Sequence, residues 1–156
     1  IWIKMYDKIK SYIKENDTVL DLYCGSGTIG IYANKNNKTI GVEINKSSIE
    51  DAKINKEIND IKNIDFICSD VAKVINKFKN IDTIIVDPPR SGLDKKTINY
   101  LINSQAKKIV YVSCDPVTLA RDLELLKDYY NVVELVPVDM FSNTYHVECV
   151  TKLEKK

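Results

Sequence analysis

The sequence predicts an α/β fold: a mostly parallel seven-stranded sheet with helices on both faces and an antiparallel hairpin at one edge. Three observations carry this. Short β-branched apolar runs alternate with helical patterns along most of the chain. A glycine-rich turn, GSGTIG (25–30), joins the first such run to the helix after it. The last two apolar runs have no helical pattern between them, so they must turn back antiparallel.

Taken in order, residues 2–14 read as an opening helix. TVLDLY (18–23) is a buried strand, and a helix follows the glycine turn from about residue 28. TIGVEI (39–44) is a strand followed by a helix over 46–58. IDFIC (64–68) is a strand, with VAKVINKF (71–78) a short helix. DTIIVD (82–87) is a strand that ends at two prolines, which cannot continue a ladder, and 94–103 is helical. KIVYVSC (108–114) is a strand, and PVTLARDLELLKD (116–128) is a helix with proline at its first position and Asp115 as its cap. VVELVPVDM (132–140) and HVECVTKLE (146–154) form the closing hairpin. In open sheets of this kind, ligands bind at the carboxyl ends of strands near the point where strand order reverses. The distinctive residues of this chain all fall at such ends.

Composition narrows the class. At 156 residues, with 44% hydrophobic and 29% charged residues, the chain reads as one soluble domain with a sufficient core. Its net charge of +1 announces no global basic field for a polyanion. Four cysteines (Cys24, Cys68, Cys114, Cys149) form no CxxC pair, so no metal site is expected. A lysine-rich chain without a signal segment is expected to be cytoplasmic and reduced. No apolar run approaches the roughly 18 residues of a membrane helix. The chain begins at Ile1 without methionine, as an excised piece of a longer protein would. Only two of its 23 basic residues are arginine, Arg90 and Arg121, and both lie beside these strand ends.

The glycine turn matches G-x-G-x-x-G, a pattern shared by dinucleotide sites and by plain strand-to-helix turns. Asp21, on the strand before it, separates the ligand readings. A carboxylate there opposes a pyrophosphate but suits a cation. S-adenosylmethionine carries a sulfonium and an ammonium and no phosphate, so Asp21 favours it over NAD, beside Gly25 and Gly27. Glu43, closing the second strand, can accept hydrogen bonds from ribose hydroxyls in either case. Asp70 is placed either for an adenine amino group or as the cap of the helix at 71.

Two further turns carry reactive groups. In DPPRSGL (87–93) the prolines hold Asp87 at the strand tip. Arg90 is either a phosphate fork or a surface ion pair. In VSCDPVTLARDL (112–123), Cys114 faces the positive end of the following helix, which is expected to lower its pKa. We read it as a nucleophile, and Cys24, Cys68 and Cys149 as small core hydrophobes. A thiolate reaction that must also remove a proton needs a base. On the last strand Glu148 shares a face with His146 and is the candidate.

DLYCGSGTIG, GVEIN, DPPRSGL, VSCDPVTLARDL and DMFSNTYHVECV together resemble the successive motifs of bacterial RNA uracil-C5 methyltransferases, over residues 17–153. The resemblance implies a Rossmann-like class I S-adenosylmethionine-dependent methyltransferase. Cys114 is then the nucleophile, Glu148 the base, and Tyr23, Glu43 and Asp87 cofactor contacts, with Asp87 also orienting the reactants. Thiolate addition at uracil C6 makes C5 nucleophilic towards the methyl group. Loss of the C5 proton then frees the cysteine. The target is RNA, ribosomal ahead of transfer RNA, bound with help from Arg90 and Arg121, by a monomer. Family members carry N-terminal RNA-binding parts and a Phe–Gln segment that supplies a glutamine. Neither is in this sequence, so weaker cofactor binding is expected, and FSNT replaces the more usual Phe-Pro-His-Thr. The alternatives are a cytosine-C5 enzyme, in which a cysteine would stand near Arg90, and a cofactor-binding fragment without turnover of its own.

Overall fold

The computed structural model describes residues 2–139 and 147–156. Seven strands form one sheet in the order β3-β2-β1-β4-β5-β7-β6. They are β1 (Val19–Leu22), β2 (Thr39–Glu43), β3 (Ile64–Cys68), β4 (Thr83–Val86), β5 (Lys108–Ser113), β6 (Tyr130–Asp139) and β7 (Val147–Lys155). The first five run parallel, and β7 enters antiparallel between β5 and β6. The chain winds outward from β1 through β2 to β3, then returns to place β4 on β1's other side. The reversal of strand order is therefore between β1 and β4.

Strands β1, β4 and β5 are buried along their whole length, as expected of strands covered on both faces. Alternation divides each between two cores. Leu20, Leu22, Ile84, Val86, Ile109 and Tyr111 pack with Val71 of α4 (Val71–Val74), Ile98 and Leu101 of α5 (Lys95–Asn103), and Leu119 and Leu126 of α6 (Pro116–Leu126). Val19, Ile85, Val110 and Val112 pack on the other face with Met5 and Ile9 of α1 (Trp2–Tyr12) and Ile29 of α2 (Thr28–Tyr32). Each fully buried Leu or Ile contributes roughly 1.5–3 kcal/mol relative to exposure. The remaining helix, α3 (Lys46–Ile58), lies over β2 and β3.

Helix starts follow local chemistry. Asn45, Asp70, Asp94 and Asp115 each accept hydrogen bonds from the first-turn amides of α3, α4, α5 and α6. The expected helix over 71–78 is instead α4 followed by a 3₁₀ turn at Ile75–Lys77. The first strand stops at Leu22, because Tyr23 adopts a left-handed φ of 62°. At the opposite end of the sheet the buried Lys108 ammonium donates to Tyr12 O (2.6 Å) and to Asp17 Oδ2 (3.2 Å). The carboxyl ends of the strands are left for other work. His146 and the segment 140–145 lie outside the described residues.

Candidate active site

The turn after β1 is built from unusual backbone. Tyr23, Gly25 and Gly27 all have positive φ, and Gly27 at +78° caps α2. A Cβ on Gly27 would stand 2.7 Å from the Phe66 ring, so only glycine lets β3 press this close. The Asn55 amide of α3 donates to Ser26 O at 3.1 Å and ties the turn down. Nothing lies within 4 Å of a Cβ built on Gly25, which leaves that side of the turn open. Glu43 receives the Gly25 amide on one carboxylate oxygen (3.1 Å) and the Asn45 amide on the other (2.9 Å). Each oxygen retains a second lone pair for a hydroxyl.

Asp21 is 1% exposed, and neither carboxyl oxygen has a formed hydrogen bond. The Gly30 amide of α2 is near enough to favour ionisation but does not complete one. Burial first, then the charges of Asp87 and Glu43, push the Asp21 carboxyl up to about 8. Asp87 follows β4, its amide donating to Leu22 O at 3.3 Å across the strand reversal. Burial, with Glu148 and Glu43, raises its carboxyl to about 7. Asp21, Glu43 and Asp87 thus form one acidic cluster around an open glycine turn. Such a donor set fits a cationic, hydroxyl-bearing ligand and opposes a pyrophosphate.

Cys114 follows β5. The β5–β7 ladder pairs Ser113 with Cys149, so the next position sets Cys114 across from Glu148. Ser113 Oγ donates to Asp115 O (2.8 Å) and receives the Asp115 amide (3.1 Å), which pins the turn that carries the thiol. The expected lowering of the thiol pKa is corrected: its pKa is raised. Burial is the largest cause, followed by the Glu148 charge, and Asp87 adds to it, while Arg90 acts in the other direction. The helix start does not offset these causes. The Asp115 carboxylate already receives the Val117 and Thr118 amides, so the positive end of α6 faces its own cap.

Other expectations divide. Asp70 is the cap of α4, accepting from the Ala72 amide at 3.0 Å. The Tyr23 ring packs against the larger core, and its hydroxyl lies 3.4 Å from Thr97 Oγ1. Cys24 and Cys149 are half-buried, but Cys68 is exposed rather than core. It is the last residue of the edge strand β3, and its thiol reaches Ile44 O at 3.6 Å. Arg90 is exposed beside Cys114. Arg121 is not presented as a phosphate fork. Its guanidinium donates to Ser91 O (2.8 Å), Leu93 O (3.2 Å) and Asp122 Oδ1 (3.0 Å), which commits it to the loop after β4.

Asp122 and Thr118 were not singled out by the sequence; Gly92 was, as a glycine expected where the backbone is unusual, and its φ is +77°. Asp122 is fully buried and receives the Leu93 amide (2.9 Å) and the Tyr111 hydroxyl (2.5 Å). Its signal was an acidic residue on the apolar face of an amphipathic helix. Among the described residues, no three His, Cys, Asp or Glu side chains gather to hold a metal. Nor is any described helix long and apolar enough to cross a membrane.

Comparison with known proteins gives this arrangement a lineage. An uncharacterized RNA methyltransferase of Clostridium acetobutylicum is 47% identical over 98% of this chain. Another, from Caldanaerobacter subterraneus subsp. tengcongensis, is 43% identical over 97%. The chain spans 35% of the length of each. The tRNA (uracil-54, C5)-methyltransferase of Pyrococcus abyssi, solved with S-adenosyl-L-homocysteine, is 39% identical and superposes with a TM-score of 0.88, covering 97% of this chain and 37% of that one. The precorrin-6y C5,15-methyltransferase of Geobacter metallireducens shares the fold alone, at TM-score 0.83 and 16% identity over 98% of this chain and 88% of that one. The sequence profile of the tRNA (uracil-5-)-methyltransferase family matches residues 1–156, and the chain belongs to that family.

Proposed function

We propose that the chain is the catalytic part of an RNA uracil-C5 methyltransferase, with Cys114 as nucleophile and Glu148 as base. The observation that carries this reading is the β5–β7 register, which sets Cys114 across from Glu148 with the charge of Asp87 bearing on both. S-adenosylmethionine, when bound, supplies an electrophilic methyl group on a sulfonium. Asp21, Glu43 and Asp87 would hold its cationic and ribose groups over Gly25 and Gly27, with Tyr23 and Asp70 flanking.

The Cys114 sulfur forms a bond to uracil C6, and the C5=C6 π pair moves onto the C5 side, making C5 nucleophilic. After methylation Glu148 takes the C5 proton. The C5–H pair then restores the double bond and expels the thiolate. In the structure Glu148 and Asp87 favour the protonated thiol. A cation placed against Asp87 weakens that repulsion, so cofactor binding would prepare the nucleophile. Four unpaired cysteines suit a reducing, cytoplasmic setting.

The test needs a chain that carries the family's RNA-binding parts, with transfer and ribosomal RNA supplied separately. Cys114→Ala should give no covalent RNA adduct. Glu148→Gln should permit addition and methyl transfer but block proton removal, so methylated RNA accumulates as a slow species on a denaturing gel. An adduct in Cys114→Ala, or normal turnover by Glu148→Gln, overturns the assignment. Which RNA is trapped decides between the two substrates. In the same chain, Arg90→Ala should lower the salt dependence of RNA affinity by about one phosphate contact.

A further inference from the structure

The loop that carries Asp87 and Arg90 is gripped by the first two turns of the helix that follows Cys114. Thr118 Oγ1 donates to Arg90 O at 3.0 Å. Arg121 Nη2 holds the carbonyls of Ser91 and Leu93 at 2.8 and 3.2 Å. Asp122 takes the Leu93 amide at 2.9 Å while also bonded to Tyr111 in β5. Gly92 runs between these groups at φ +77°, where a Cβ would stand 2.5 Å from Arg121 Nη2 and 2.8 Å from Asp122 Oδ2. Each of these bonds runs to α6, whose N-terminal cap, Asp115, directly follows Cys114.

We propose that Arg121, Asp122 and Thr118 are positioning residues, which hold the Arg90 cation and the Asp87 carboxyl at a fixed setting beside the Cys114 sulfur by tying both turns to α6. The grip sets the charge balance at the thiol. Arg90 is the cation whose charge opposes Glu148 and Asp87 there. Loosening the loop lets that cation move away, while the carboxylate of Glu148 stays, because it rides on β7. The functional weight of the grip rests on Cys114 being the nucleophile. Its geometry can be read without any turnover.

The test follows alkylation of Cys114 by iodoacetamide against pH in the chain as it stands. The labelled peptide is read by mass spectrometry so that the other three cysteines do not contribute. At pH 8, Arg90→Ala should slow alkylation about threefold by raising the thiol pKa, and Arg121→Ala should slow it in the same direction. The double variant should be no slower than Arg90→Ala alone, since both act through one cation. Arg121→Lys, able to reach one carbonyl, should recover part of the rate. Should Arg121→Ala not fold, Thr118→Val removes the bonds of that hydroxyl to Arg90 O and Asp115 O while leaving the Arg121 contacts, and is expected to shift the profile the same way. A lowered melting temperature with an unmoved Cys114 profile in both Arg121→Ala and Thr118→Val overturns the proposal and leaves the grip purely structural. Failure of RNA adduct formation, by contrast, counts against Cys114 as nucleophile and leaves this profile unchanged.

Discussion

Urea unfolding should show a chain that is more stable at pH 5 than at pH 8.5, by up to about 6 kcal/mol. The source is the pair Asp21 and Asp87, with carboxyls near 8 and 7 in the folded chain and an ordinary value of 3.8. Below about pH 4 both are protonated folded or unfolded, and nothing is lost. From there to about pH 8 the unfolded chain releases protons that the folded chain keeps, so stability falls. Above that the loss is complete. Asp21→Asn keeps the shape without the ionisation and should flatten most of the slope, gaining stability at pH 8.5 over the native chain. S-adenosylmethionine should do likewise at high pH, because it brings positive charge to the cluster. A stability that rises between pH 5 and 8.5, or a slope unaltered in Asp21→Asn, would refute the assignment of an unpaired buried carboxyl.

Gly92→Ala should cost about 2–4 kcal/mol, a large loss for a loop residue. A left-handed φ of +77° already costs an L-residue about 1–2 kcal/mol. The new methyl then meets two groups that differ in freedom. Arg121 is half-exposed and can swing aside, giving up its carbonyls. Asp122 is fully buried and held by Tyr111, so it cannot. Asp122→Ala should cost more, about 3–5 kcal/mol, by leaving Arg121, Tyr111 and the Leu93 amide without their acceptor. Thermal unfolding of the two variants would show the order. A Gly92→Ala chain as stable as the native one would mean that the loop is not gripped as described.

The sheet and its order of elements were legible because their causes are local. Helix α3 and strand β3 have the limits expected from their sequence, set by the Asn45 cap and by alternation. The glycine turn, the Asp-Pro-Pro stop and the Asp115 cap are likewise written in a few consecutive residues. What could not be read was long-range. Asp122 looked like one more acid on α6 until Leu93, 29 residues earlier, was placed against it. Arg121 was read as a phosphate contact because arginine is rare here, and rarity says nothing about which acceptors fold brings within reach. The raised Cys114 pKa is likewise long-range, since burial and then the charge of Glu148 from the last strand cause it. A helix end attracts anions only where its amides are unclaimed, and the neighbouring Asp115 had claimed them.

Strand β7 comes after β6 in the chain but lies inside it, between β5 and β6. Synthesis therefore delivers the outer strand before the one that must separate it from the rest. Until β7 is made, β6 has no correct neighbour, and even in the finished fold its Val132, Val133 and Leu135 stay about half-exposed. Glu148 reaches Cys114 only when this latecomer docks along the full length of β5. Such a non-local pairing is slow to form. A nascent chain can thus bury most of its core while Cys114 still has no Glu148 opposite it, and that juxtaposition is completed only when folding ends.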